Sequence, residues 1–211
     1  MRRGGSRRLA LWTALQRVLA VLLLPPAYGI ALCVGLVIRL HSPGPILVRL
    51  SREGKDGVCF PMYKLRTMVV DADAALRKCL NENEDLRREW QQYGRLACDP
   101  RIAGPVARQA RRFSIDELPQ ILNVVCGRMA LVGPRPLPVE VAAVMRPDDR
   151  KCRQTVLPGI TGLWQISGRS ELSIDAMGSL DGLYVRNRTV LRDVGILLRT
   201  PWAVTSGRGA Y

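Results

Sequence analysis

The chain is poor in aromatic residues, histidine, paired cysteines and acids. Aromatics are 5% of 211 residues, His41 is the only histidine, and 18 Asp and Glu face 32 Lys and Arg. A lone His without a Cys or His neighbour leaves no ligand set for zinc. The six cysteines (Cys33, Cys59, Cys79, Cys98, Cys126, Cys152) form no CxxC pair. That spread excludes a secreted disulfide scaffold, and such thiols read as small apolar packing residues in a reducing compartment. The shortage of acids leaves a net charge of +14. Such a charge suits nucleic acid, an anionic membrane surface or a phosphate-rich substrate. Scarce aromatics weigh against nucleic acid, because there is little on which to stack bases. A hydrophobic content of 47% is ample for a packed core.

What is there begins with a run that has no charge at all, "VLAVLLLPPAYGIALCVGLVI", Val18 to Ile38. As a helix it is just long enough to cross a bilayer. Pro25 and Pro26 interrupt it, each removing an N–H and crowding the preceding turn, so a break or sharp bend is expected. Arg2, Arg3, Arg7, Arg8 and Arg17 precede the run, and Arg39, Arg49, Arg52 and Lys55 follow it. Basic flanks mark the cytosolic side, so two of them place both ends there. The expectation is a re-entrant helix–break–helix, and an ordinary kinked span is the alternative. This divides the chain into a basic N-terminus with a membrane hairpin, residues 1–40, and a catalytic domain, residues 41–211.

In the remainder, "HSPGPILV" reads as a turn and strand, and 58–70 as one or two strands. Residues 71–93 have helical periodicity, a separate helix is expected to follow the 98–114 segment through Val125, and "LPGITGLWQISGRS" reads as a loop. From about Ile174 to Thr205 the tail offers one or two helices, in which Arg186, Arg188, Arg192 and Arg199 alternate with Leu191, Leu197, Leu198 and Trp202. A basic, apolar-striped helix of this kind lies on a membrane surface. The fold class expected is α/β, mostly helical and membrane-associated, with a small cytosolic domain and amphipathic interfacial helices.

One segment stands out chemically, "RRFSIDELPQ", residues 111–120. "SIDE" has the form of a capping box with Ser114 as cap. Pro119 argues against that, since it would be the fifth residue of such a helix, where a missing N–H costs about 3 kcal/mol. The helix should therefore begin at Asp116 or a little later, placing Asp116 at the positive end of the helix dipole. The dipole, with Arg111 and Arg112, is expected to hold the carboxylate ionised and to attract phosphate. An ionised carboxylate beside phosphate can attack phosphorus to give an acyl-phosphate. Glu117, pointing elsewhere, can hold a divalent cation. Lys64, Arg66, Arg135 and Arg169 each sit beside turn residues that fix their aim. Together with the apolar run, these cations suggest a site for a diphosphate at a bilayer surface.

These stretches, with "SPGPILV", "FPMYKLRTM", "DPRI", "VGPRP", "LDGLYVRN" and the terminal "RGAY", resemble the bacterial sugar transferase family over roughly residues 15 to 211. Its members are monotopic phosphoglycosyl transferases. The order "DELPQ", "VGPRP", "PGITGLWQ..GR" is the specific part. The resemblance implies that Asp116 is the nucleophile, attacking the β-phosphate of a UDP-sugar and expelling UMP. Polyprenyl (undecaprenyl) phosphate then takes the phosphosugar. It further implies that Glu117 binds Mg²⁺, and that Arg111 and Arg135 contact phosphate or nucleotide. Arg112, Lys64, Arg66, Arg169 and Gln165 complete the expected substrate set. The partners implied are UDP-sugar, polyprenyl phosphate and membrane lipids, with no nucleic acid, at the cytoplasmic face of the inner membrane in exopolysaccharide, capsule or O-antigen assembly. A homodimer is left open, and no stretch encodes the sugar. Two departures stand out. Cys126 and Arg128 replace the usual Lys and Asp, and Pro25-Pro26 lie about a turn farther from "SPGP" than is common.

Overall fold

The computed structural model describes residues 3–93, 96, 98–168 and 173–206. It opens on one long helix, α1 (Arg3–His41), of about 58 Å at ~1.5 Å per residue. A hairpin of antiparallel strands follows, β1 (Leu47–Glu53) and β2 (Cys59–Leu65), in the register Leu47↔Leu65 to Glu53↔Cys59. Next come α2 (Ala72–Glu82), α3 (Glu84–Tyr93) and α4 (Pro105–Arg112). A 3-10 segment, Ile115–Gln120, leads into α5 (Ile121–Val125) and β3 (Ala130–Val132). The chain continues through α6 (Val139–Ala143), α7 (Pro147–Gln154), β4 (Gly159–Thr161) and α8 (Leu163–Ile166). It ends in α9 (Ile174–Arg186) and α10 (Val190–Thr205).

The mostly helical α/β reading therefore holds, with sheet limited among the described residues to the β1–β2 hairpin and the parallel pair β3–β4. Two details depart from expectation. The helical span 71–93 is two helices, because Asn83 stops the first and caps the second, its Oδ1 accepting from Asp85 and Leu86 N–H at 3.0 and 3.1 Å. The glycine-rich loop after Leu157 contains β4 and α8. There Gly133 and Gly159 let two backbones touch: a Cβ on Gly159 would collide with the Gly133 nitrogen.

The expected break at Pro25–Pro26 is absent, and α1 runs through both prolines. The reason is its packing. Both prolines are on the exposed side, whereas Ala20 and Ala27, on either side of them, are buried in one cluster with Phe60, Ile121, Val124 and Met129. Two lost N–H bonds are tolerated because the turns that flank them are anchored to the same core. Small residues make that contact close: Ala20, Ala27, Ala31 and Gly35 form the buried stripe, and a Cβ on Gly35 would strike Ile46. Much of the opposite face of the helix is apolar and exposed, including Leu11, Leu15, Leu22, Leu32 and Leu40. Its window Arg7–His41 is long and apolar enough to cross a membrane. Polar contacts fix its ends. Gln16 Oε1 accepts from the N–H groups of Leu131 and Val132, and Trp12 donates to Asp193 at 2.9 Å.

The cysteines do not serve as core filler. Four are exposed and two half-buried, and the described core is built from Ala, Met, Ile, Leu and Val instead.

Candidate active site

Pro119 shapes the centre of the molecule. It prevents an α-helix from starting at Ser114, and the chain winds tightly as 3-10 until α5 begins at Ile121. Ser114 makes no side-chain cap and takes a left-handed conformation, φ 55° and ψ 24°, so the capping box does not form. Such a conformation is strained for a residue with a Cβ and recurs at functional sites. The turn directs Asp116 inward, where it is 3% exposed.

From β2, Lys64 reaches both acids: Nζ lies 2.9 Å from Asp116 Oδ2 and 3.5 Å from Glu117 Oε1. Arg135, between two prolines after β3, grips Glu117 with two nitrogens at 2.7 and 3.3 Å. Its guanidinium also lies 5.8 Å from the centre of the Trp164 ring. These groups open onto a cavity of about 450 Å³ with a mixed lining. Lys64, Arg111 and Arg135 line it with the two acids, and so do the apolar side chains of Ile121, Leu131, Ile160, Leu197 and Val204 and the hydroxyls of Thr161 and Thr200.

The two acids are shifted in opposite directions. Burial pushes Asp116 up from the ordinary value, more strongly than Lys64 pulls it down, and the Glu117 charge adds to the rise. Burial acts on Glu117 too, but Arg135 and Lys64 outweigh it and bring its pKa down to about 2. The sequence expectation named the helix dipole, Arg111 and Arg112 as the groups that favour the Asp116 carboxylate; burial opposes that form, and the net shift is upward. The 3-10 turn is short, Lys64 is the main favourable charge, and Arg111 is a lesser one.

Of the residues singled out in the sequence, Lys64, Arg111, Asp116, Glu117, Arg135 and Gln165 all line the cavity. Two do not. Arg112 is exposed, with its guanidinium 5.7 Å from the Phe113 ring centre, since one helical step turns it about 100° from Arg111. Arg66 is buried and structural: it donates to the carbonyls of Ser42, Pro45 and Met68 and to the Ser42 hydroxyl, locking the turn after α1. Arg169 and the "RGAY" tail lie outside the described residues. Sequence reasoning missed Trp164, Thr161 and the α10 residues Leu197, Thr200 and Val204. The i, i+3, i+7 spacing of the last three was the available signal.

Mg²⁺ characteristically takes one or two protein carboxylates and completes its shell with water and substrate phosphate. Both Glu117 oxygens are taken by Arg135, and one also by Lys64, so Glu117 with the neighbouring Asp116 would hold such an ion by exchanging one of these partners.

The sequence model of the family described as Bacterial sugar transferase matches residues 8–207. The chain belongs to that family. It is 40% identical over 168 residues to an undecaprenyl-phosphate galactose phosphotransferase of Salmonella typhimurium, covering 80% of this chain and 35% of the relative. Another relative is the exopolysaccharide production protein ExoY of Sinorhizobium fredii, 37% identical over 92% of this chain and 84% of that protein. A third is the UDP-glucose:undecaprenyl-phosphate glucose-1-phosphate transferase of Escherichia coli, 34% identical over 92% of this chain and 40% of its own. The chain thus spans little more than a third of the galactose phosphotransferase and most of ExoY. This bacterial sugar transferase has its cavity built inside the matched region.

Proposed function

We propose that this sugar transferase moves a sugar 1-phosphate from a UDP-sugar to a polyprenyl phosphate such as undecaprenyl phosphate, in two displacements at Asp116. In the first, an Asp116 carboxylate oxygen attacks the β-phosphorus. The bond to the α-phosphate oxygen breaks, UMP leaves with the electron pair, and an aspartyl-phosphosugar remains. In the second, a phosphate oxygen of the acceptor attacks the same phosphorus and frees the carboxylate. The observation that carries this reading is a buried aspartate with one ammonium partner facing a cavity lined by both cations and apolar side chains.

Each part of the lining suits part of the chemistry. Lys64, Arg111 and Arg135 supply charge for the diphosphate and, in the second step, for the acceptor phosphate. Leu131, Ile160, Leu197 and Val204 form a wall on which the first isoprenoid units can pack. Because the two substrates use the phosphorus in succession, one cavity serves both. Mg²⁺ held by Glu117 would neutralise the charge that develops on the departing UMP.

The exposed apolar faces support attachment to a membrane. On α10, Leu191, Leu198 and Trp202 are 85%, 76% and 65% exposed, on the side opposite Leu197, Thr200 and Val204. With cations at both ends of α1, we place both on the cytoplasmic side, with the exposed face of α1 in the near leaflet. Because α1 is unbroken, it does not enter and return; with both basic ends on one side it lies along the near leaflet. Such an enzyme stands at the first membrane step of exopolysaccharide or related glycan assembly.

The test is intact-protein mass spectrometry with a panel of UDP-sugars, Mg²⁺ and no acceptor lipid. The expected outcome is a phosphosugar adduct with one UMP released per enzyme, absent in Asp116→Asn. Nucleotide binding with neither adduct nor UMP would overturn the reading in favour of a membrane-held UDP-sugar-binding protein.

A further inference from the structure

The loop that carries Arg135 is "GPRPLP", residues 133–138. Pro134, Pro136 and Pro138 have no N–H, so this stretch can do little to hold itself through its own donors. Its carbonyls are instead fixed from outside. Gly159 N–H donates to Pro134 O at 2.9 Å, and Glu53 N–H to Leu137 O at 2.9 Å. Between them the Arg135 carbonyl, on the same residue that grips Glu117, accepts from Arg153 Nη2. Of these three fixings, this one comes from a side chain.

Arg153 is itself held. Its other nitrogen, Nη1, donates to Asp181 Oδ2. The two side chains are 9% and 1% exposed, and neither lines the cavity. Asp181 Oδ1 has no hydrogen-bond partner among the described residues, so the hold of this carboxylate is directed at Arg153. Burial pushes Asp181 up to about 6 despite the guanidinium beside it. A desolvated pair of this kind is a poor source of stability, because the cost of burying the charges rivals their attraction. Its geometry offers another role. On the same helix, Arg150 and Gln154 hold Glu53 at 2.5 and 3.1 Å, and Glu53 N–H is the donor to Leu137 O. Positions 150, 153 and 154 of α7 thus act on this one proline-rich loop.

We propose that Arg153, oriented by Asp181, is a positioning residue for Arg135. It fixes the Arg135 backbone so that the guanidinium meets Glu117 and the phosphate squarely, and it acts on the reaction only through Arg135. The inference rests on the function proposed above, in which Arg135 serves phosphoryl transfer.

The experiment is a double-mutant cycle on UMP release in the first half-reaction, with KM for the UDP-sugar and thermal unfolding measured on the same samples. Arg153→Met is expected to lower the rate about 10- to 100-fold. Arg135→Ala is expected to lower it further, and the double variant to be no slower than Arg135→Ala alone. Arg153→Lys, which keeps a donor and a charge, is expected to recover part of the rate and carries the cycle if the Met variant does not fold. Multiplicative losses in the double variant would overturn the proposal. So would a lowered unfolding temperature with an unchanged rate in the folded fraction. Wild-type protein that releases no UMP refutes the parent reading instead, so the two failures are distinguishable.

Discussion

Two buried aspartates show what separates a structural carboxylate from a chemical one. Asp193, fully buried on α10, accepts from Tyr184 Oη at 2.7 Å, from Trp12 Nε1 at 2.9 Å and from Arg188 at 3.4 Å. Each of its oxygens has a donor, and the partners join α1, α9 and α10. Asp116 is nearly as buried, yet among the described residues its ion-pair partner is Lys64 alone, and it faces a cavity. A buried charge is inert when its lone pairs are filled and reactive when some are left for a ligand. The same residue type therefore serves as a clamp at one place and, on the function proposed above, as a nucleophile at the other.

Substitution at both positions should pull stability and chemistry apart, and this is the largest expected effect. Asp116→Asn should cut UMP release by at least about 10³-fold. It should leave thermal unfolding close to wild type or raised, since a neutral amide replaces a desolvated charge. Asp193→Ala should do the reverse. It leaves Arg188, Trp12 and Tyr184 without their acceptor and costs about 3–5 kcal/mol, while the folded fraction keeps its turnover. Equal loss of activity per folded molecule in both variants would break the comparison.

The second effect is on pH. The Asp116 pKa is raised, so the ionised nucleophile is disfavoured and is lost as pH falls through that raised value. The acid limb of UMP release should therefore lie above the ordinary carboxylate range. Lys64 opposes the rise, so Lys64→Met should move the limb to still higher pH and lower the rate about 10²-fold at neutral pH. A limb that stays in place would mean that Lys64 does not set the charge of Asp116.

A smaller effect is expected at the apolar lining. Leu197→Ser and Val204→Ser each remove apolar contact worth about 1–2 kcal/mol. KM for a long-chain polyprenyl phosphate should then rise about tenfold, with UMP release in the absence of acceptor unchanged. A matching rise in KM for the UDP-sugar would assign this wall to the nucleotide instead.

Local rules carried much of this arrangement. The Pro119 argument excluded a capping box at Ser114, and the spacing of turn residues drew attention to Lys64 and Arg135, which do meet at the acid pair. What local reasoning could not supply was the third dimension. The small-residue stripe of α1 became visible as a docking face only once the domain lay against it, which is why Pro25–Pro26 failed to break the helix. Arg66 has the same flanking turn signals as Lys64, yet the direction of its side chain, settled by free carbonyls at the "SPGP" turn, makes it a clamp. Burial, not helix dipole, sets the direction in which the Asp116 carboxyl is shifted, and burial depends on the whole fold.

Arg111 and Arg112 put that lesson to the smallest test. The sequence treats them as equals, two cations just ahead of the acid pair. The fold separates them by one helical step, so that Arg111 lines the cavity while Arg112 lies over Phe113 at the surface. Arg111→Ala should slow UMP release, because a charge that favours the Asp116 carboxylate is lost. Arg112→Ala should change stability by no more than about 0.5 kcal/mol and leave UMP release unaltered, since an exposed cation is screened by water and salt before it reaches the cavity. Equal losses at the two positions would mean that the basic run acts through its summed field, and the side-chain directions that distinguish Arg111 from Arg112 would then carry no weight in the chemistry.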